Sequence, residues 1–182
     1  MNSLVAPFYG HCNPELLDLF NMKAIKTEKA DIKIIGIEVR TNNQAEMSPE
    51  GKIGPTWNRF YQENIAAKIP NQSSPEKLFG IYMDYESDFR GEYAFVLGKE
   101  VGTFDIVPEG MVAKTLPTAN YAVFTSEKGA MPNIVINLWK HIWALKPTDT
   151  GGDRAYKADF EVYDNRSADP QNSQVDVYIS IK

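Results

Sequence analysis

The sequence has little of what several protein classes require. Its one cysteine, Cys12, cannot form an internal disulfide framework. Two histidines, His11 and His141, accompany it, and three scattered groups do not make a zinc site. No stretch approaches a membrane span of about 20 apolar residues, and no basic region precedes an apolar run at the N-terminus. We therefore expect a cytoplasmic protein with no cofactor, no metal and no membrane partner.

Positive charge is also scarce. The chain has 19 Lys and Arg against 24 Asp and Glu, for a net charge of −5. No run of Lys or Arg forms a basic face, which phosphate contacts need, so direct DNA binding is not expected. Aromatic residues, in contrast, make up 12% of the chain. A cavity lined by aromatic side chains would account for that content.

Residues 1–22 are predicted to form an N-terminal extension with one short helix. Asn13 is a typical helix cap, and Pro14 fits the first helical position. Apolar residues between Leu16 and Phe20 give this helix a stripe that could dock on the rest of the chain or on a second subunit. The remaining residues, 23–182, are predicted to form a single domain, since this length buries a sizeable core.

The order strand, helix, strand, strand occurs twice within that domain. The first repeat covers about 31–101 and the second about 110–182. This order predicts an α+β fold in which two βαββ units form an antiparallel sheet system with helices on one side. The two helices are predicted between Pro55 and Pro70 and between Pro132 and Pro147, where apolar residues recur at helical spacing.

The last two predicted strands carry the most chemistry. Asp159, Glu161 and Tyr163 share one face of the first, and Tyr178 lies on the polar face of the second. If the aliphatic faces pack on the helices, the other faces present a carboxylate beside tyrosines. That combination suits a desolvated organic cation, because ring faces add about 0.5–2 kcal/mol of cation–π attraction each. From alternation alone, a solvated face with an exposed glutamate is the somewhat favoured alternative.

Six segments in series carry a family resemblance over roughly residues 25–182. They are IKIIGIEVRT, KLFGIYMDYESDFRGEYAFVLGKEV, IVPEGMVAKTLPTANYAVFT, LWKHIWAL, ADFEVYD and VDVYISI. In this order and spacing the chain resembles the AraC-type effector-binding, or gyrase-inhibitor-like, domain family. The resemblance implies two βαββ units related by a pseudo-twofold axis, with a ligand pocket between the halves.

The resemblance also implies which residues form that pocket. An acidic residue on the penultimate strand anchors the ligand in this family, and by the DFEVYD match that residue is Glu161. The further pocket residues that it implies are all aromatic: Tyr163, Tyr178, Trp139, Trp57, Tyr82 and Tyr93. Two other aromatic residues, Phe60 and Trp143, are expected in the core.

The family resemblance leaves three functions open. Only about 22 residues precede the domain, too few for a helix-turn-helix region, so the chain resembles stand-alone members, including those on integron gene cassettes. A sensor or sequestering protein for hydrophobic cationic drugs is the first reading. Hydrolysis of strained cyclopropane compounds is the second, with Glu161 as general base and Tyr178 or Tyr82 as proton donor. A protein-interaction module is the third, and a homodimer or a protein partner fits each of them.

Overall fold

The computed structural model describes residues 25–29 and 31–182. The predicted extension 1–22, with its helix, lies outside these residues. Eight strands alternate with five α-helices in the described part of the chain, and the strands are β1 (Ile25–Lys29), β2 (Ile32–Thr41), β3 (Leu78–Met83), β4 (Tyr93–Glu100), β5 (Val112–Leu116), β6 (Ala119–Thr125), β7 (Ala158–Tyr163) and β8 (Asp176–Ile181). The helices are α1 (Asn43–Glu46), α2 (Ile53–Gln62), α3 (Ile65–Lys68), α4 (Asn133–Ala144) and α5 (Pro147–Thr150).

All eight strands form one antiparallel sheet in the order β1-β6-β8-β7-β3-β4-β2-β5. The first βαββ unit contributes β2, α2, β3 and β4, and the second contributes β6, α4, β7 and β8. The two units meet where β3 pairs with β7. From this pair outward, the first unit places its strands in the order β3, β4, β2, and the second unit places the equivalent strands in the order β7, β8, β6. The predicted α+β class and its duplicated order are confirmed.

The outermost strands cross between the two units. β1 precedes the first unit along the chain but pairs with β6 of the second unit. β5 precedes the second unit but pairs with β2 of the first. Each unit therefore completes the sheet edge of the other, which ties the two halves together. The strand β1 is not predicted from the sequence, because IKTEK is short and mostly polar.

The helices pack on one face of the sheet. Their buried residues form a core cluster with one face of the strands, including Phe60, Leu138 and Ile142. A second cluster fills the opposite face, where Leu116 of β5 meets Tyr121 of β6. Since β5 is one edge strand and β6 lies next to the other edge strand, the sheet curls toward that face. None of the helices in the described residues is long and apolar enough to cross a membrane.

Two helix expectations need correction. The single helix between Pro55 and Pro70 is two helices, α2 and α3, because Asn64 between them adopts a left-handed conformation with φ 49°. Trp143 is 50% exposed, so the expectation that it lies in the core is wrong. A narrow stripe of α4 that includes Trp139 is sufficient to cover the sheet, and Trp143 lies at the edge of that stripe.

Candidate functional site

The site is built around the carboxylate of Glu161, in the middle of β7. Its side chain is almost fully buried, with the residue 1% exposed. Tyr82 Oη and Trp139 Nε1 donate hydrogen bonds to Oε1 at 2.9 and 2.6 Å. Tyr163 Oη donates to Oε2 at 2.6 Å. Three donors from β3, α4 and β7 therefore hold this carboxylate between the sheet and the helices.

Gly80 makes room for that carboxylate. It lies directly opposite Glu161 in the β3–β7 register. A Cβ atom at position 80 would lie 2.8 Å from Glu161 Oε2, closer than side chains approach one another. The absence of a side chain at Gly80 is thus part of the site. Gly80 is not among the residues predicted for the site, although a glycine inside a strand is a sign of such a close approach.

Burial and hydrogen bonding act in opposite directions on Glu161. Burial raises the pKa of its carboxyl above the ordinary value, and the three donors oppose that rise. The pKa of Tyr82 and of Tyr163 lies well above the usual range, first because both are buried and then because the Glu161 charge is adjacent. Both hydroxyls therefore keep their protons and act as donors at physiological pH.

No cation balances the charge of Glu161 within the described part of the chain. Its donors are two phenols and an indole, all of them neutral groups. No Lys or Arg is among the groups that shift its pKa. The ionised form of Glu161 is thus a buried negative charge that is hydrogen-bonded but has no counter-charge.

Aromatic rings continue outward from the donors. Trp57 on α2 contacts Tyr163 edge to face, with ring centroids 4.9 Å apart, and stacks at 5.9 Å on Tyr61. On the other side, Trp139 lies 5.1 Å from Tyr82. Tyr61 is mostly exposed and Trp57 partly so. A continuous series of rings therefore runs from the protein surface at α2 to the buried carboxylate.

A second buried carboxylate, Asp159, lies two residues before Glu161 on the same face of β7. Arg154 forms an ion pair with its Oδ2. Tyr85 Oη donates to the same oxygen at 3.0 Å. The backbone and side chain of Ser180 donate to Oδ1 at 2.8 and 3.1 Å. Asp159, unlike Glu161, has a charged partner and four donors in all.

The structure brings six of the seven expected pocket residues together. Tyr82, Trp139 and Tyr163 bond Glu161 directly. Trp57 reaches it through Tyr163, and Tyr93 contacts the ring of Tyr82 at 5.6 Å. Whether these residues bind a ligand stays a prediction. A cleft of about 350 Å³ near the sheet edge at β1 and β6 shares none of them.

Tyr178 is the exception. Its ring stacks on Phe160 at 4.6 Å on the face of the sheet away from the helices. In the β7–β8 register Phe160 pairs with Tyr178 and Glu161 pairs with Val177, so Tyr178 and Glu161 point to opposite faces. The expectation that Tyr178 lies beside Glu161 is wrong, and with it goes the suggestion that Tyr178 could give Glu161 a proton.

Tyr178 and Glu161 lie on opposite faces because the polar and apolar faces of β7 are oriented differently from those of β8. The aliphatic face of β8 does pack on the helices, as expected, but on β7 the apolar face of Phe160 and Val162 points the other way. Both faces of these strands are buried, so each needs apolar residues. The helix-facing side of β7 carries the polar residues Asp159 and Glu161, which other groups satisfy by hydrogen bonds.

The duplicated βαββ sheet, with Glu161 on its penultimate strand, has the arrangement that the family resemblance implied. The chain belongs to the Cass2 family, described as integron-associated effector binding protein, whose profile matches residues 26–181. This confirms the resemblance to effector-binding proteins of the integron cassette type.

Individual relatives agree with this assignment. The Vibrio cholerae integron cassette protein VCH_CASS2 is 30% identical, with a TM-score of 0.70 over 88% of this chain and 97% of that one. YobU of Bacillus subtilis, named for a proposed role in transcriptional regulation, is 33% identical over 82% of this chain and 92% of its own length. The transcriptional regulator BrlR of Pseudomonas aeruginosa is 34% identical over 88% of this chain, which spans 56% of BrlR.

A further structure shares the fold. SAV2435, whose structure contains bound tetraphenylphosphonium, has a TM-score of 0.71 over 88% of this chain and 94% of that one. The two chains are 20% identical. This likeness shows the fold alone.

Proposed function

We propose that this protein binds lipophilic organic cations, with the carboxylate of Glu161 as the anchor. One observation carries the proposal: Glu161 is buried among aromatic groups and bonded by neutral donors alone. Burying a charge is costly unless a partner of opposite sign accompanies it. A cationic ligand would supply that partner, and Glu161 then serves binding rather than stability.

The rings around Glu161 fit such a ligand. Trp139 and Tyr163 contact different oxygens of the carboxylate, and Trp57 packs against the ring of Tyr163. Each ring face can add about 0.5–2 kcal/mol of attraction for a desolvated cation. The shared fold of SAV2435, which was solved with a phosphonium cation, supports a ligand of this class.

Entry of the ligand requires a side chain to move, because the three donors cover the carboxylate. Tyr82 lies on β3, which is paired on both sides at the centre of the sheet. Trp139 lies on α4, and Tyr163 is the last residue of β7. We therefore expect the cation to displace Trp139 or Tyr163 and to take over the space that the ring had filled.

The biological role that fits this site is that of a sensor or sequestering protein. Two relatives are named for transcriptional regulation, and the family is one of effector-binding proteins. We infer that the described fold provides the ligand-binding part of such regulation. A partner protein would then carry the signal, or the compound would be held without a signal.

Thermal unfolding tests the proposal. Tetraphenylphosphonium at 100 times its Kd should stabilise the protein by about 2.7 kcal/mol, which raises the Tm by about 5–10 °C for a chain of this size. Glu161→Gln should lose most of this rise while the free variant keeps its fold. An equal rise in the variant would contradict the role of Glu161 as anchor.

A further inference from the structure

We propose that Arg154 sets the charge preference of the Glu161 site, so that it takes singly charged cations and discriminates against dications. This inference rests on the proposed function. Among the described residues, Asp159 and Glu161 are the buried carboxylates. Arg154 pairs with Asp159, so Glu161 is the buried carboxylate that lacks a counter-charge in the described part of the chain. A ligand with one positive charge completes this balance.

The two carboxylates are close enough to act on one ligand. Residues i and i+2 of a strand project from the same face, with Cα atoms about 6–7 Å apart. The ring of Tyr82 lies in register with Asp159 and its hydroxyl reaches Glu161. An unpaired charge on Asp159 would therefore add strongly to the negative potential at Glu161 in this buried environment.

A row of rings connects the two carboxylates. Tyr156 stands next to Arg154, whose guanidinium lies 4.5 Å from the ring centroid. From there the rings of Tyr156, Tyr85, Tyr93 and Tyr82 follow one another at centroid distances of 5.5, 5.7 and 5.6 Å. An elongated aromatic ligand lying along this row would have one end at Glu161 and the other at the Arg154–Asp159 pair.

Arg154 is held firmly in this position. Its side chain is 17% exposed, it pairs with Asp159, and its ring partner Tyr156 adopts a left-handed conformation with φ 51°. Its Nε atom is buried without a hydrogen-bond partner. The mostly buried guanidinium thus offsets the negative charge of Asp159 and leaves no free carboxylate there for a second positive group on the ligand. By neutralising Asp159, Arg154 leaves the site one net negative charge, and this net charge is the physical basis of the discrimination.

A series of four proteins varies this charge in single steps. The carboxylates and Arg154 sum to −1 in the wild type, −2 in Arg154→Gln, 0 in Asp159→Asn, and again −1 in the variant with both substitutions. The double variant is the matched control, because it removes the ion pair without changing the sum. Far-UV circular dichroism confirms which variants fold.

The probes are two flat cations of nearly equal shape, N-methyl-4-phenylpyridinium with one charge and N,N′-dimethyl-4,4′-bipyridinium with two. Their affinities are measured by titration calorimetry, with tetraphenylphosphonium as a reference ligand. The wild type should bind the monocation more tightly. Arg154→Gln should shift the affinity ratio toward the dication by about tenfold, and the double variant should return it to the wild-type value.

The outcomes separate this inference from the proposed function. Binding of the probes with the same ratio in wild type and Arg154→Gln would overturn the role of Arg154 alone. A double variant with the same affinity ratio as Arg154→Gln would overturn it too, since shape rather than charge would then govern the ratio.

If Arg154→Gln does not fold, Asp159→Asn should bind the monocation about tenfold more weakly than the double variant, and equal affinity would refute the inference. A wild type that binds none of the three cations would overturn the proposed function itself, and this inference with it.

Discussion

Asp159 and Glu161 lie on the same face of the same strand and are both buried, but their partners differ in kind. Asp159 is paired with Arg154 and bonded by Tyr85 and Ser180. Glu161 has neutral donors alone. The first arrangement is complete in the free protein, whereas the second lacks a charge that a ligand can bring. Proximity and burial are therefore not enough to mark a functional carboxylate, and its counter-charge must be counted as well.

Stability should separate the two carboxylates most clearly. Asp159→Asn leaves Arg154 buried without its partner and should lower the free energy of unfolding by about 3–5 kcal/mol. Glu161→Gln should change it by less than about 1 kcal/mol, because the amide can accept from Tyr82 and Trp139 and donate to Tyr163. Urea denaturation of both variants gives the two values. A larger loss for Glu161→Gln would reverse the comparison.

The pH dependence of binding sharpens the comparison. Because burial raises the pKa of Glu161, its proton must leave before a cation can bind. Affinity for tetraphenylphosphonium should rise up to about tenfold per pH unit below that pKa and level off above it. Titrations from about pH 5 to about pH 8 measure this slope, which Glu161→Gln should flatten.

The same raised pKa affects the free protein in the opposite direction. A carboxyl whose folded pKa exceeds its unfolded value contributes stability that is fully present below the unfolded pKa and is lost as pH rises through the folded pKa. Glu161 should thus weaken the free fold over the range in which cation binding strengthens. Binding that is independent of pH in the wild type would contradict the assignment of the anchor.

The smallest effect is expected at the outer rings. Trp57→Leu removes a partly exposed ring that contacts Tyr163, and it should weaken tetraphenylphosphonium binding by about 0.5–1 kcal/mol, or about two- to fivefold. Tyr178→Phe is the matched control, because its ring lies on the opposite face and the substitution preserves the stack on Phe160. Fluorescence titration should show no change for this control, and a larger loss there than at Trp57 would place the ligand on the wrong face.

Much of this fold could be predicted from the sequence. The alternation in β8 and the apolar stripe of α4 gave both elements, and the repeated order gave the duplicated βαββ sheet. Local patterns do not show which distant strands pair, so the crossing of β1 and β5 between the units was not predicted. The apolar spacing predicts one helix through Asn64, because a local break of this kind leaves that spacing intact.

The site could be predicted in part. The resemblance pointed to Glu161 and its aromatic neighbours, and five of these six aromatic residues do surround it. Alternation does not show which face of β7 packs on the helices, because both faces are buried. The prediction therefore puts Tyr178 on the same face as Glu161, whereas it lies on the opposite face. The pairing of Asp159 with Arg154 depends on the path of the loop before β7, which no sequence pattern specified.

The central claim is that Glu161 binds a cation because its own charge lacks a partner. Tetraphenylphosphonium and tetraphenylborate test it directly, since they share size and shape and differ in the sign of their charge. The wild type should bind the phosphonium at least about 100-fold more tightly than the borate. Glu161→Gln should reduce this ratio about 30-fold or more, mainly through weaker phosphonium binding. A ratio that stays the same in the variant would contradict the account.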